Sequence, residues 1–153
     1  MRLVAGTKLD RLAVIGEGPR SRGRRMVAKL NSTPQPVPLK RLGDGVQRLL
    51  GIALALANCQ NGILLIDEVE NGIHYSILPK LWDMIFKTAQ EGNIQVIAAT
   101  HSWDCISSFT HSALATDQVG TLVRLEKDED DLYPVHYSEE DLEIIAKHNI
   151  EVR

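Results

Sequence analysis

The chain has 153 residues, of which 44% are hydrophobic and 24% charged, and its formal net charge is −3. This length and composition are typical of one ordinary globular domain with a sizeable core, which excludes the disordered and fibrous classes. The charge gives no general attraction to nucleic acid or anionic membranes, and the two isolated cysteines exclude a disulfide framework and a C-x-x-C metal site.

The N-terminal third predicts an antiparallel pair of strands. Residues 10–16 and 25–30 are short apolar runs, and the segment between them is rich in glycine and arginine. We interpret this segment as a solvated hairpin tip, with contact to DNA phosphates as the alternative. Residues 31–38 contain three prolines and predict an irregular connection, because proline interrupts a helix.

A helix is predicted over about 45–58. Asp44 and Gln47 have the spacing of a capping box, and good helix formers follow them. Gly43 and Gly45 leave backbone N–H groups uncovered at the positive end of this helix, and Arg48 follows one turn later. The loop could therefore bind a phosphate, although an ordinary capping turn explains the same residues.

Two buried strands are predicted next, at 63–67 and 94–99, with a helix between them for which Ser76 is the predicted N-cap. Both runs are almost wholly apolar, which is typical of parallel strands that are covered on both faces. Further along, Ser102 is predicted to cap a short helix to about residue 111. Residues 120–126 and 132–137 form a hairpin, and Ser138 with Asp141 opens a last helix that ends near Asn149.

The alternation of helix and strand from residue 45 onward predicts an α/β fold. We expect a parallel sheet with flanking helices, preceded by the antiparallel β pair and followed by the hairpin plus helix. Nothing in the sequence marks a boundary, so a single domain over residues 1–153 is expected.

Polar residues follow both predicted parallel strands. Ligands of parallel sheets bind at the carboxyl ends of the strands, where Asp67, Glu68 and His101 lie. Asp67 could hold Mg²⁺ through its waters, and Glu68 could polarise an attacking water if burial tunes its basicity. His101, just before a Ser-capped helix, could contact a γ-phosphate or hold the attacking water. The alternative is a plain turn into solvent with a structural histidine.

Three motifs carry a family resemblance. In this order and spacing, LGDGVQRLLGIALAL, ILLIDEVENGIH and IAATHS resemble the signature motif, the Walker B with D-loop, and the switch histidine of ABC-type ATPases. The resemblance is greatest to the bacterial ATP-binding proteins of the OLD-like, AAA-type group. It implies a P-loop NTPase-like fold, ATP and Mg²⁺ as cofactors, ATP hydrolysis as the activity, and a second ATPase head as the partner.

The resemblance also implies a role for the residues that match each motif. Asp67 would serve Mg²⁺, Glu68 would be the catalytic carboxylate, and His101 would be the switch histidine. The D-loop across the dimer would span residues 70–74, with Asn71 and His74 as its nucleotide-contacting members.

The signature of the family would fall on Gly43, Asp44 and Gly45, with Arg48 one turn on, and would touch the partner's γ-phosphate. Gly43 stands where many family members have serine, so backbone amides would have to replace a hydroxyl contact.

The sequence departs from the family in its phosphate loop. The 153 residues contain no G-x-x-x-x-G-K-[ST] motif, which supplies the lysine for the β- and γ-phosphates and the hydroxyl for Mg²⁺. We therefore expect little ATP binding by the chain alone, and we expect a homodimer partner or a separate chain to supply the loop.

Two other functions stay open. One is a non-catalytic regulatory or partner module of an ATPase, and the other is a metal-dependent phosphoesterase or nuclease that uses Asp67, Glu68 and His101. The sequence shows no secretory leader, and its longest apolar stretch, residues 49–57, is too short to span a bilayer. A cytoplasmic location without a membrane partner is therefore expected.

Overall fold

The computed structural model describes residues 2–4, 7–16, 24–116, 120–128 and 131–148. These residues belong to two compact units, residues 1–50 and 51–153. The expected hairpin tip at residues 17–23 and the expected helix end at Asn149 lie outside the described residues. Within the described ranges, no helix combines the length and the apolar character that crossing a bilayer requires.

The first unit is built on an antiparallel sheet of four strands in the order β1-β2-β3-β4. The strands are β1 (Arg2–Val4), β2 (Thr7–Gly16), β3 (Arg24–Leu30) and β4 (Val37–Pro38). The predicted pair corresponds to β2 and β3, so the sheet is larger than expected. The prolines of residues 31–38 exclude a helix but not an edge strand, because an edge strand can leave a backbone position without an N–H donor.

The core of the first unit lies against β3. Ala28 and Leu30 are buried there, and their half-buried apolar neighbours are Leu9, Leu12, Val37, Leu39, Leu42 and Val46. A 3₁₀ turn, Leu39–Leu42, leads into helix α1 (Asp44–Ala57), whose residues from Gly51 onward belong to the second unit. The prediction of a helix near 45–58 is confirmed.

The second unit contains a parallel strand pair, an antiparallel hairpin and three further helices in its described part. Its elements are β5 (Ile63–Ile66), α2 (Leu78–Gly92), β6 (Gln95–Ala98), α3 (Trp103–Leu114), β7 (Leu122–Asp128), β8 (Asp131–Tyr137) and α4 (Glu139–His148). β5 and β6 pair in parallel, and β7 and β8 pair antiparallel. The structure thus confirms the parallel pairing, the hairpin and the last helix.

Helix α2 packs on α3 through aromatic rings. The rings of Trp82 and Phe109 meet edge to face with centroids 5.0 Å apart, and Phe86 stacks on Phe109 at 5.7 Å. The indole Nε1 of buried Trp82 donates to the carbonyl of Cys105 at 3.1 Å. Aromatic pairs of this geometry contribute beyond their buried area, so this contact fixes the helix that follows His101.

The start of α2 differs from the prediction. Ser76 is not its N-cap, because the helix begins at Leu78 after a short 3₁₀ turn over Tyr75–Ile77. Proline at the start of α2 is tolerated because the first turn of a helix has no use for its missing N–H.

The faces of the parallel pair also differ from the prediction. Ile66 at the end of β5 is buried, but the side chains of Ile63, Leu65 and Ile97 are 61%, 71% and 54% exposed. Leu65 lies opposite Ile97 in register, so these three side chains share one face. The expectation that both faces are covered is therefore wrong for the part of the chain that the structure describes.

Candidate functional site

Backbone hydrogen bonds hold the two parallel strand ends side by side. Beyond β5 and β6, the N–H of Ala99 donates to the carbonyl of Ile66 at 2.8 Å, and the N–H of Val69 donates to the carbonyl of Ala99 at 3.1 Å. The side chain of Val69 is fully buried and anchors the turn. The structure therefore brings the Asp67–Glu68 segment next to the Thr100–His101 segment, as the strand order predicted.

Glu68 has an unusual backbone conformation. Its φ of 43° lies in the left-handed region, which a residue with a side chain seldom adopts and which costs about 1–3 kcal/mol. The turn is closed by a hydrogen bond from the N–H of Asn71 to the carbonyl of Glu68 at 3.0 Å. Strain of this kind concentrates at functional sites, so it marks Glu68 as the residue that the turn presents.

The side chain of Asn71 holds the carboxylate of Glu68. Its Nδ2 donates to Oε2 of Glu68 at 3.2 Å. Both side chains are exposed, so the burial that was expected to tune Glu68 is not provided by the described residues. The amide orients the carboxylate and leaves its other oxygen, Oε1, outside this contact.

His101 lies beside a different carboxylate, that of Glu70. Its Nδ1 is 3.7 Å from Oε1 of Glu70, and the side chain of His101 is 80% exposed whereas that of Glu70 is 12% exposed. Within the described part of the chain, neither oxygen of Glu70 has a hydrogen-bond partner. A buried carboxylate thus faces the inner edge of an exposed imidazole.

Helix α3 starts just after His101 and is fixed there by its N-cap. Ser102 is its N-cap and accepts a hydrogen bond from the N–H of Cys105 at 3.4 Å, which confirms the predicted cap. Burial raises the pKa of the Cys105 thiol to about 11; the charge of Glu70 adds to the rise, and hydrogen bonds with Thr100 and Trp82 oppose it. Cys105 therefore stays protonated and packs as a small hydrophobe, as expected.

The predicted D-loop continues as a second tight turn, in which the N–H of Ile73 donates to the carbonyl of Glu70 at 2.8 Å. His74 caps the 3₁₀ turn that follows: its Nδ1 is 3.0 Å from Oγ of Ser76 and accepts from the Ser76 N–H at 3.3 Å. Its ring also lies on Tyr75, with centroids 4.3 Å apart. His74 therefore has a local role, and its contact with a nucleotide stays a prediction.

Asp67 is exposed at the end of β5. Across the described ranges, no group of three or more His, Cys, Asp or Glu side chains could hold a metal ion. Mg²⁺ usually takes one or two carboxylates and completes its shell with waters and phosphate oxygens. The residues therefore fit a Mg²⁺ ion that arrives with a nucleotide, and they do not form a metal cage of their own.

In the first unit, Gly43 caps α1 with its backbone. The carbonyl of Gly43 accepts a hydrogen bond from the N–H of Gln47 at 3.4 Å. Its φ of 87° and ψ of 162° lie in a region that only glycine occupies readily. The serine of related signatures is therefore disfavoured at this position by the backbone.

The expected capping box at α1 is wrong in detail. Gln47 bonds the side chain of Asp44, Nε2 to Oδ1 at 3.1 Å, because Asp44 is already the first residue of the helix. Gly45 follows inside α1, and Arg48 lies half-buried one turn along. The first N–H groups of any helix have no partner within the helix, and such donors attract anions. In α1 these groups belong to Asp44, Gly45 and Val46.

A small cavity lies away from the strand ends. It measures about 100 Å³ and is lined by Leu56, Ala57, Gln60, Thr88, Glu91, Gly92 and Ile94. It contains none of the predicted site residues and is smaller than ligand pockets, which start near 300 Å³.

Sequence reasoning missed the contact between Glu70 and His101 and the contact between Asn71 and Glu68. Glu70 entered the predictions only as part of the D-loop, and Asn71 only as a nucleotide contact. The second contact spans three residues and could have been found from the tight turn that D-E-V-E-N-G predicts. The first needs the pairing of β5 with β6, which local sequence does not reveal.

Comparison with known families gives a match over roughly the first two thirds of the chain. Residues 13–104 match the model of the family described as "AAA domain, putative AbiEii toxin, Type IV TA system". This stretch is more than half of the chain and contains all three motifs.

Two relatives are similar in sequence. The first, an ATP/GTP phosphatase of Helicobacter pylori, is 37% identical over 82 residues, which are 51% of this chain and 22% of that protein. The chain thus spans about a fifth of its length. The second, an uncharacterized protein of Methanocaldococcus jannaschii, is 33% identical over 91 residues, which are 60% of this chain and 80% of that protein.

A solved structure is similar in fold. It comes from work on the ATP-driven dimerization and DNA-stimulated activation of SMC ATPases and has a TM-score of 0.61 at 17% identity, covering 90% of this chain and 80% of that chain. This likeness shows a shared fold. Because the matched family model covers more than half of the chain, the chain belongs to that AAA-domain family.

Proposed function

We propose that this AAA-family chain binds and hydrolyses ATP as the C-terminal portion of an ABC- or OLD-like ATPase head. The observation that carries the proposal is the pair of carboxylate contacts at the two joined strand ends. Glu68 is presented by a left-handed turn and contacted by Asn71, and His101, which follows the neighbouring strand, lies beside Glu70. A plain turn into solvent would need neither the strained backbone nor the buried carboxylate.

In the proposed reaction, Glu68 orients a water molecule for in-line attack on the γ-phosphate. The amide of Asn71 orients the carboxylate, and a carboxylate in this position would accept a hydrogen bond from that water. Mg²⁺ held at Asp67 would neutralise phosphate charge when it is bound. His101 provides a second polar group on the same edge of the sheet.

The bare sheet face supports the view that a further segment, on this polypeptide or on a second one, completes the head. Parallel sheets are ordinarily covered on both faces, and the chain leaves Ile63, Leu65 and Ile97 largely exposed. A segment or chain that carries the phosphate loop would bury these side chains. A second head, in a homodimer or a split assembly, would then place its signature loop on the nucleotide.

The regulatory alternative rests on the missing phosphate loop. A module that has lost turnover would keep the fold without a lysine for the phosphates. Titration of the chain with Mg-ATP separates the views: micromolar binding by the chain alone contradicts the proposed need for a phosphate-loop partner. The nuclease alternative requires metal-dependent DNA cleavage without ATP, and the described residues offer it no ligand cluster.

The decisive test replaces Glu68 by glutamine. ATP turnover is measured for the chain together with a polypeptide that carries the phosphate-loop segment of the same family. Glu68→Gln is expected to lower kcat by about 10²-fold or more, the usual contribution of a general base, while KM for ATP changes little. The control is Glu91→Gln, an exposed carboxylate of α2 that pairs with Lys87. Undiminished hydrolysis by Glu68→Gln contradicts the assignment.

A further inference from the structure

We propose that Glu70 is the positioning residue of His101: its carboxylate holds the Nδ1 edge of the imidazole and leaves Nε2 as the atom that meets water or phosphate. The inference rests on the proposed function in what His101 then does. The contact itself belongs to this chain and can be tested without a nucleotide.

The exposures of the two side chains fit this division of roles. The ring of His101 is 80% exposed, and Glu70 is 12% exposed beneath it, with 3.7 Å between Nδ1 and Oε1. This distance is longer than a hydrogen bond of about 2.7–3.2 Å, and a small rotation of an exposed ring closes it. Glu70 is therefore the fixed member of the pair and His101 the mobile one.

A buried carboxylate needs a partner. Both oxygens of Glu70 are buried, and neither accepts a hydrogen bond from the residues that the structure describes. Leaving a charged group in this state is costly, because the lost hydration is not replaced. The neutral thiol of Cys105 gives little compensation, since S–H is a weak donor and no hydrogen bond joins it to Glu70 in the described part of the chain. Among the described residues, the basic group beside this carboxylate is the imidazole of His101, at 3.7 Å.

The pairing fixes what each ring nitrogen can do. When one nitrogen of a neutral imidazole donates its hydrogen, the other presents a lone pair. With Nδ1–H donated to Glu70, Nε2 of neutral His101 accepts a hydrogen bond from the attacking water. When His101 is protonated, the same contact becomes an ion pair, and Nε2–H donates to a phosphate oxygen. Glu70 thus makes Nε2 of His101 the atom that accepts from water in the neutral ring and donates to phosphate in the protonated ring.

The burial of Glu70 also argues against a role across a dimer. The family resemblance places it in the D-loop, which would reach a second chain. Its oxygens are covered, however, and its carbonyl closes the tight turn to Ile73 at 2.8 Å. Contact with a second chain would require this turn to open.

The experiment measures the tautomer of His101 in the chain alone. Long-range ¹H–¹⁵N spectra are recorded well above the usual histidine pKa of about 6.5, where the ring is neutral. We expect the Nδ1-protonated form to dominate at His101. A dominant Nε2-protonated form in the unaltered chain overturns the proposal, and no variant is needed for that result.

Variants add a second arm. Glu70→Met keeps the length of the side chain but removes the acceptor, so the tautomer ratio is expected to shift several-fold toward that of a free imidazole. Glu70→Gln restores an acceptor oxygen and should return the ratio most of the way. His111, whose Nδ1 lies 2.7 Å from the carbonyl of Ser107, is the internal reference, and Glu91→Met is the matched control. An unchanged ratio in Glu70→Met contradicts the pairing.

Turnover gives the functional consequence. In the assembly that contains the phosphate-loop polypeptide, Glu70→Met should lower kcat roughly tenfold to a hundredfold, as do other losses of a carboxylate that orients a histidine. KM for ATP should stay nearly constant, and Glu70→Gln should keep most of the activity. If no assembly hydrolyses ATP, the proposed function fails while the tautomer result still decides the pairing. If the assembly is active and Glu70→Met leaves kcat unchanged, the positioning role fails alone.

Discussion

At the scale of single residues, the backbone conformations of Glu68 and Gly43 distinguish their two turns from ordinary loops. Glu68 adopts a φ of 43° although it carries a side chain, and Gly43 adopts a φ of 87° that its lack of a side chain permits. In the first case strain is tolerated where a catalytic carboxylate is proposed. In the second, strain is avoided by the residue type, which explains why the signature-like loop has glycine in place of serine.

Gly43→Ala tests this explanation. The added methyl group meets no atom within 4 Å, so any cost comes from the backbone conformation alone. We expect a loss of roughly 1–3 kcal/mol in the free energy of unfolding, measured by urea denaturation. Gly51→Ala is the matched control: this glycine lies inside α1 with equally open space, and alanine there should stabilise by about 0.5–1 kcal/mol. Equal effects at the two positions contradict the argument.

At the scale of elements, side chains at the helix ends decide where the helices begin. Helix α4 has the predicted cap: the N–H of Ser138 donates to Oδ2 of Asp141 at 2.8 Å, and the N–H of Asp141 donates to Oγ of Ser138 at 3.2 Å. At α1 and α2 the same kind of serine or aspartate signal was misassigned. At α1 the carbonyl of Gly43 accepts the first helical hydrogen bond, and at α2 a 3₁₀ turn precedes the helix.

The cap of α4 predicts a dependence on acid. Hydrogen bonds from the backbone and the hydroxyl of Ser138 lower the pKa of Asp141 below its ordinary value of 3.8. A carboxylate whose pKa is lowered by folding stabilises the fold above its unfolded pKa, and this stabilisation is lost as the pH falls through the folded value. The protection factors of the amides at the start of α4, which allow for the pH dependence of intrinsic exchange, should therefore fall only in acid.

Asp141→Asn should remove this acid dependence, because asparagine does not titrate. Glu143→Gln is the control on the same helix; it breaks the exposed pair with Lys147 and should leave the acid-induced loss of protection in place. An unchanged acid response in Asp141→Asn would show that the cap is not its source.

At the scale of the whole molecule, the parallel pair β5–β6 combines two features that suggest a missing partner. Charged groups gather at its carboxyl end, and apolar side chains are bare on one face. A contiguous apolar surface of this kind marks an interaction site or an aggregation hazard. The proposed phosphate-loop polypeptide would cover the apolar face and would complete the nucleotide site at the carboxyl end of the strands.

Leu65→Lys tests the proposed completion. Because this side chain is 71% exposed, the substitution should change the stability of the chain by less than about 0.5 kcal/mol in thermal unfolding. Binding to the phosphate-loop polypeptide, measured by calorimetry, should weaken at least about tenfold, since a charge would be buried at the contact. Leu125→Lys is the control, a leucine of β7 that is 65% exposed. Equal binding by both variants contradicts the proposed contact.

The sequence by itself determined the helices and strands of the second unit and the two strand ends that carry Asp67, Glu68 and His101. It did so because apolar runs followed by polar residues are local signals that survive folding. The cap of α4, the N-cap of α3 and the hairpin were equally local, and all three are confirmed.

Only the tertiary structure decided which carboxylate serves which group and which sheet face stays bare. Glu70 and His101 are 31 residues apart in sequence and meet because β5 pairs with β6 in one particular register. The left-handed turn at Glu68 and the exposure of Leu65 likewise depend on what packs around the strands. Contacts between distant residues and the burial of a face are properties of the assembled chain, so a reading of local pattern cannot supply them.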